Sequence, residues 1–216
     1  MEVVFVVTFK ELKYHWFSDL YRYEESMKVS MAKVFYRQFF FAGYHFMFWL
    51  RLCSYLKQKG KLCRPLYFLA LVILQRYKYK YGIGISPSTK IGKGFYIGHF
   101  GGIVVNSNAT IGENCVIMQG VTIGASNRGA TKGVPTIGNN VYIGAGAKII
   151  GNVRVGNYAA IGANAVVTKD VPDHAVVGGI PAKIISLEGS EGYISFPYPS
   201  EVLMKQAGLL PKTKEQ

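Results

Sequence analysis

One aliphatic residue recurs at every sixth position along most of the second half of the chain. Ile85, Ile91, Ile97 and Ile103 open the series; after a two-residue slip it resumes at Val105, Ile111, Ile117 and Ile123, then at Ile137, Ile143, Ile149, Val155, Ile161 and Val167. Glycine follows the aliphatic residue at Gly92, Gly98, Gly112, Gly124, Gly138, Gly144, Gly156 and Gly162. A helix repeats near 3.6 residues and an isolated strand near two, so a period of six with glycine beside each aliphatic residue describes short flat strands joined by tight turns. Three such strands form a coil with the aliphatic residue inward, and stacked coils bury a continuous column of Ile and Val. A β-sandwich would alternate at period two with closely spaced turns and would not keep one register through this length. The predicted fold is mainly β, a parallel β-helix of triangular section.

The repeat is interrupted once. Between Gly124 and Ile137 no aliphatic residue stands at the expected place, while Arg128 and Lys132 appear and Pro135 closes the segment. This predicts a loop extruded from the coil at residues 125–136, and loops on rigid scaffolds commonly carry function.

Residues 28–82 have another texture. Phe35, Phe39, Phe46, Trp49, Leu52 and Leu56, then Leu66, Leu69 and Ile73, are spaced by mixed threes and fours, which predicts helices split near Gly60 to Pro65. Basic residues, among them Arg51, Lys57, Arg64, Arg76 and Lys80, flank the apolar stripes. Between Lys28 and Lys93 the chain carries 13 Lys and Arg and no Asp or Glu, a one-sided charge that implies an anionic partner. Two readings follow: an interfacial amphipathic helix pair making peripheral contact with an anionic membrane surface and dispensable for folding the β-helix, or a helical cap on the β-helix with a basic outer face. Nucleic acid is the weakest partner, because the block contains no groove-reading module.

The chain thus divides into an N-terminal segment 1–27, the basic helical region 28–82, the repeat region 83–186 and a C-terminal tail 187–216. No apolar run reaches the roughly 18–20 residues of a membrane span, and Met1 to Thr8, although apolar, carries Glu2 in place of a basic leader region. Cys53, Cys63 and Cys115, odd in number and without CxxC spacing, suit a reducing compartment. A cytoplasmic location is expected, at most peripheral on the inner membrane face. No second His or Cys stands at ligand spacing from His15, His45, His99 or His174, so no metal site is expected.

The runs PSTKIGKGFYIGHFGGIVV, IGENCVIMQGVTIGA, TIGNNVYIGAGAKIIGNVRVGNYAAIGANAVVTKDVP and GGIPAKII, covering about residues 83–186, resemble the hexapeptide-repeat acyltransferases. Within that family the chain is most similar to serine acetyltransferases and the related sugar and polysaccharide O-acetyltransferases. The resemblance implies a left-handed β-helix, a homotrimer and transfer of an acetyl group from acetyl-CoA to a hydroxyl, with no metal. A neutral hydroxyl is a poor nucleophile, and imidazole is matched to taking its proton at neutral pH; His99, in IGHFGG, stands where the family places its catalytic histidine. Ala125, Ser126, Ala145 and Ala163 match positions lining the family's coenzyme groove between subunits, and Lys169 and Lys183 match positions from which basic side chains reach nucleotide phosphates.

The chain also departs from the serine enzymes. Gly84 and Gly98 replace two Asp residues, and Gly133 and Val134 replace an Arg-His pair before Pro135. A site without those partners should discriminate poorly in favour of an amino acid. Asn127, Arg128 and Lys132 suit a polyhydroxylated or anionic acceptor, so the expected acceptor is a saccharide of capsule, exopolysaccharide or lipopolysaccharide. Serine O-acetylation in cysteine biosynthesis and a non-catalytic β-helix scaffold stand as the alternatives.

Overall fold

The computed structural model describes residues 8–24 and 28–210; the apolar stretch Met1 to Val7 lies outside them. Among the described residues five helices and fifteen short strands follow in order: α1 (Phe9–Glu24), α2 (Met31–Arg37), α3 (Ala42–Lys57), a 3₁₀ turn at Lys61–Cys63, α4 (Arg64–Tyr81), the strands, and α5 (Ser200–Ala207). The fold is a left-handed parallel β-helix with a helical region over its N-terminal end. No helix among these residues is long and apolar enough to cross a membrane.

The strands form three parallel walls. Sheet I holds β1 (Ile83–Gly84), β4 (Ile103–Val105), β7 (Thr122–Gly124), β10 (Lys148–Ile150) and β13 (Val166–Val167). Sheet II holds β2 (Lys90–Ile91), β5 (Thr110–Ile111), β8 (Thr136–Ile137) and β11 (Arg154–Val155). Sheet III holds β3 (Tyr96–Ile97), β6 (Val116–Ile117), β9 (Tyr142–Ile143), β12 (Ala160–Ile161), β14 (Val176–Gly178) and, antiparallel at its end, β15 (Lys183–Ser186). Every aliphatic residue of the hexad series is buried.

Three hexads make one regular coil: Val104 pairs with Thr122 and Lys148 with Val166. There are two insertions. Tyr96 pairs with Val116, two positions beyond the three-hexad spacing, which locates the slip in segment 98–102. Thr122 pairs with Lys148, farther along again, and the excess is the loop between β7 and β8.

The helices cap the open end of the coil column. Thr8 and Glu11 form a reciprocal capping box at the start of α1: the Thr8 amide donates to the Glu11 carboxylate (2.7 Å) and the Glu11 amide to Thr8 Oγ1 (3.2 Å). At the end of α4, Gly82 takes a left-handed conformation (φ 60°) and its N–H bonds Lys78 O. Trp16 of α1 stacks on Phe48 of α3 at 4.6 Å. Phe46, Met47, Leu50 and Cys53 of α3 and Ala70 and Leu74 of α4 share one core with Ile83, Ile91 and Ile97 of the first coil. The apolar faces of α3 and α4 thus close a column that would otherwise end in water.

Arg51, expected among the solvated basic residues, is only 4% exposed. Its guanidinium pairs with Asp19 of α1, which is fully buried, at 2.9 and 3.2 Å and donates to Ile91 O and Gly92 O at 2.6 Å each. Asp19 also accepts from the Phe95 amide (2.9 Å). One ion pair thus ties α1, α3 and the first coil together. The sequence pattern predicts neither α1 nor α5; α1 mixes Lys, Asp and Arg into its aromatic stripe, and its Asp19 turns inward to this pair.

After β15 the chain turns back along the edge between sheets II and III. The Ser190 amide donates to Tyr158 O (2.8 Å), Ser190 Oγ to Asn140 O (2.6 Å) and Tyr198 Oη to Glu113 (2.6 Å), and Tyr193 stacks on Tyr142. This strap climbs the column coil by coil and ends in α5, whose Leu203 and Ala207 are buried in the same cluster as Leu12 and Trp16 of α1.

Two outcomes are expected. Arg51→Met, leaving Asp19 buried without its cation, should cost about 3–5 kcal/mol in urea unfolding, with Arg51→Met/Asp19→Leu losing less. His15 is buried with an unpartnered Nδ1, and burial, aided by Arg51 and Lys93, holds its pKa well below 6.5. Below pH 6.5 the unfolded chain binds a proton that the folded chain refuses, so stability present above 6.5 should fall as the pH drops toward the folded value. Unfolding midpoints of wild type and His15→Phe across pH 5–8 check this, the variant giving the flatter profile.

Candidate active site

The coil geometry sorts the candidate residues by edge. The edge between sheets III and I is a stack of turns: 98–102, 118–121, 144–147, 162–165 and 179–182. Backbone bonds hold the stack in register: Gly120 N to Gly101 O, Gly146 N to Gln119 O and Asn164 N to Ala145 O, each 2.8 Å. His99 lies in the turn enlarged by the two-residue insertion, and its side chain is exposed. Gly101 and Gly102 supply the positive φ values (107° and 65°) that the longer turn needs, and Gly102 packs between Gly82 and Gly120, where a Cβ would meet Gly120 Cα at 3.4 Å. Ala145 and Ala163 follow two and three coils below His99 on the same edge. Their side chains are small, Ala163 exposed and Ala145 half-buried, and Lys183 stands at the far end of the edge, opposite Gly178.

The other candidates stand across sheet I, on the edge between sheets I and II. The loop leaves there as a hairpin closed by reciprocal bonds between Ser126 and Gly133 (3.0 and 2.9 Å). Ser126 Oγ is turned into the loop, donating to Arg128 O at 3.0 Å. Asn127, Arg128 and Lys132 are exposed at its tip, Ala125 at its base, and Lys169 on the same edge two coils below. Within one chain, then, the structure brings together His99, Ala145, Ala163 and Lys183, and separately Ala125, Ser126, Asn127, Arg128, Lys132 and Lys169.

Among the described residues, no carboxylate belongs to the stacked turns of the His99 edge. Glu113, between sheets II and III, pairs with Lys93 (2.9 Å) and Tyr198. Asp173 accepts from the Asn157 amide, and Asp170 from the Arg154 amide, both at 2.8 Å. The two glycines replacing Asp in the serine enzymes differ in surroundings. A Cβ on Gly84 would make ordinary contacts with Ile103 O (3.4 Å) and Val104 Cγ2 (3.7 Å). A Cβ on Gly98 would lie 2.5 Å from Met118 Sδ and 3.3 Å from Tyr96.

Two further residues border this edge without a sequence signal. Met118 covers the backbone immediately before His99, and the Lys148 ammonium, projecting from sheet I, bonds Gly120 O in the turn below the His99 turn. Only the pairing of coils reveals either, since neither belongs to a local motif.

His45 and His174 serve elsewhere. His45 is buried against Tyr77 at 4.1 Å, and His174 stacks on Tyr158 at 5.0 Å beneath the strap.

Residues 135–169 match the family described as bacterial transferase hexapeptide (six repeats). The serine acetyltransferase of Staphylococcus epidermidis is 40% identical over 149 residues, covering 69% of this chain and 68% of that protein. The chain belongs to the serine acetyltransferase family of hexapeptide-repeat transferases. The Bacillus pumilus serine acetyltransferase is 42% identical over 128 residues, and the match covers 59% of each chain; the chain thus spans about three fifths to two thirds of the length of these relatives. Among solved structures, serine acetyltransferase of Neisseria gonorrhoeae in complex with serine is similar with a TM-score of 0.67 and 31% identity, covering 82% of this chain and 70% of that one. That of Brucella abortus in complex with coenzyme A gives 0.63 and 30%, covering 81% and 66%.

These likenesses overturn the saccharide acceptor and the assignment to polysaccharide biosynthesis. Both rested on four absent side chains, at Gly84, Gly98, Gly133 and Val134, and on the loop residues, which the single chain does not bring to His99. Absent side chains lower selectivity for one acceptor without constructing a site for another.

The unequal surroundings of the two glycines have a measurable consequence. Gly84→Asp should change thermal stability little, whereas Gly98→Asp should cost about 1–3 kcal/mol because Met118 and Tyr96 must give way. Comparing melting temperatures of the two variants checks this, and Gly98→Asp/Met118→Ala should recover part of the loss.

Proposed function

We propose that the protein is an acetyl-CoA-dependent O-acetyltransferase that acts on L-serine and assembles as a homotrimer with its sites between subunits. The observation that carries this reading is the exposed His99 on an enlarged turn, at the head of an edge that presents the small side chains of Ala145 and Ala163. The relatives' names and the coenzyme A and serine complexes of similar structures support the substrates.

In this reading the pantetheine arm lies along the His99 edge and delivers the thioester carbonyl to the histidine. The imidazole takes the serine hydroxyl proton as the oxygen attacks that carbonyl. The carbon–sulfur bond then breaks, and the proton passes to the departing coenzyme A thiolate. Lys183 would meet the nucleotide phosphates, and Lys169 would do so from the neighbouring copy. Arg128 and Lys132, which cannot reach His99 within their own chain, would come from that copy's loop and hold the serine carboxylate, with Ala125, Ser126 and Asn127 shaping the groove between them.

Release of coenzyme A with L-serine tests the substrate, and release no faster than without an acceptor would overturn it. His99→Ala should lower turnover by at least about 10²-fold with little change in acetyl-CoA binding. Mixing His99→Ala with a variant whose loop 127–132 is replaced by Gly and Ser should restore activity that neither has alone, since mixed trimers pair a sound histidine with a sound loop. No restoration would argue against sites shared between copies.

A further inference from the structure

The outer side of α4 is open and mainly apolar, with the exposed Arg76 one turn beyond Val72. Leu62, just before the helix, and Leu66, Phe68, Leu69 and Val72 on it are 95, 52, 60, 60 and 67% exposed, a cluster larger than scattered surface residues account for. The position of α4 shows where this surface points. Its C-terminal residue Tyr81 packs on Phe100, beside His99, at 5.5 Å. Its N-terminus lies beside the end of α3, where Ser54 Oγ donates to Pro87 O (2.8 Å) and Lys57 to Ser88 (2.6 Å) on the edge between sheets I and II. The helix therefore runs along the top of sheet I from one edge to the other. Since α3 lies behind it over the core, the open side of α4 continues the outer face of sheet I.

The three walls of the β-helix are not equivalent. Sheet II turns Lys90, Thr110, Thr136 and Arg154 outward. Sheet III ends in the antiparallel β15 and has Tyr193 of the strap stacked on its Tyr142, and the strap occupies the edge between these two sheets. Sheet I presents Val104, 53% exposed, Ile150 and Val166 together with Thr122 and Lys148, the latter drawn to Gly120 O at one edge, and both of its edges carry candidate site residues. If the loop edge of one copy meets the His99 edge of the next, the contact is head-to-tail and closes as a ring. The strap edge then faces out and sheet I faces the axis.

We infer that α4 is an interface between copies of this chain, its apolar side buried on the equivalent helices around the ring axis beside the catalytic edges. The inference rests on the shared-site reading above and adds the surface that holds the copies together. A second copy fits better than a lipid surface because the apolar side continues the one wall whose two edges must both meet neighbours. Arg64 and Arg76 on the same helix would repel their equivalents, so association should tighten as added salt screens them, whereas attachment to anionic lipid should weaken.

The test uses the full chain and Leu69→Lys/Val72→Lys, two exposed positions at which a lysine can be solvated in the separate subunit. Light scattering should give a trimer for wild type and a monomer for the variant, with unchanged circular dichroism and at least a tenfold loss of coenzyme A release. A trimeric variant would overturn the α4 interface while leaving the shared site standing on the mixing experiment. A monomeric wild type would overturn both. Sedimentation with phosphatidylserine vesicles forms the second arm: wild type that pellets at low salt and is released by added salt, together with a variant that remains trimeric, would assign the surface to lipid and overturn the inference.

Discussion

The three-hexad coil is the constraint from which the rest follows. Each turn bonds to the turn one coil away, so a position on an edge is repeated above and below itself, and residues far apart in sequence line up along the axis. Ala145 and Ala163 share an edge with His99 for this reason alone. A wall this regular has little freedom to shape a site, and the chain departs from the register in two places: two extra positions at the His99 turn, and the loop at 125–136. Both insertions border sheet I, one at each edge.

A stacked column has two open ends, and this chain closes one with its helices. The closing surface is mostly apolar, but α1 bonds the first coil through Ser18 to the Gly94 amide and Tyr23 to the Ile97 backbone, and Arg51 meets Asp19 and the carbonyls of Ile91 and Gly92. Burying two charges is costly, and an apolar pair of similar volume can be as stable. What the pair adds is direction. A flat apolar lid could slide on the end of the column, whereas a guanidinium satisfied by two named carbonyls and one carboxylate fixes α1 and α3 against the first coil. Because α4 packs on α3, the same pair fixes the helix that lies over the His99 turn.

The repeat is legible because its signal is local: a hexad with glycine beside the aliphatic residue states both the strand and the turn. The loop is legible as a failure of that register. What cannot be read depends on contacts between coils or between distant elements. Arg51 looks like one more member of a solvated basic series because its partner Asp19 lies two helices earlier, in a segment whose charges hide its helical stripe. The strap has no forewarning, since its ties, Ser190 to Asn140 and Tyr198 to Glu113, are single polar contacts spaced by the coil rise and not by any period in the tail itself. The acceptor misleads for a related reason: missing side chains look as informative as present ones, although a site shared between copies can draw its charges from a loop that stands far from His99 in its own chain.

The two missing carboxylates illustrate how differently a lost side chain can be absorbed. At Gly84 the backbone is open to a side chain, so the position stays vacant without being filled. At Gly98 the Met118 thioether lies over the backbone beside Tyr96, and a carboxylate there would sit against sulfur and an aromatic ring. Such a group would lose hydration without gaining a hydrogen-bonding partner, so restoring the acid alone would not restore its function; Met118 would have to change with it. The serine enzymes place carboxylates around the histidine. This chain surrounds the turn with Met118, Phe100 and small residues, and among the described residues the stacked turns of that edge hold no acid. Under the proposed mechanism, the orientation of His99 then depends on packing within the turn and on what the substrate and a neighbouring copy bring to it.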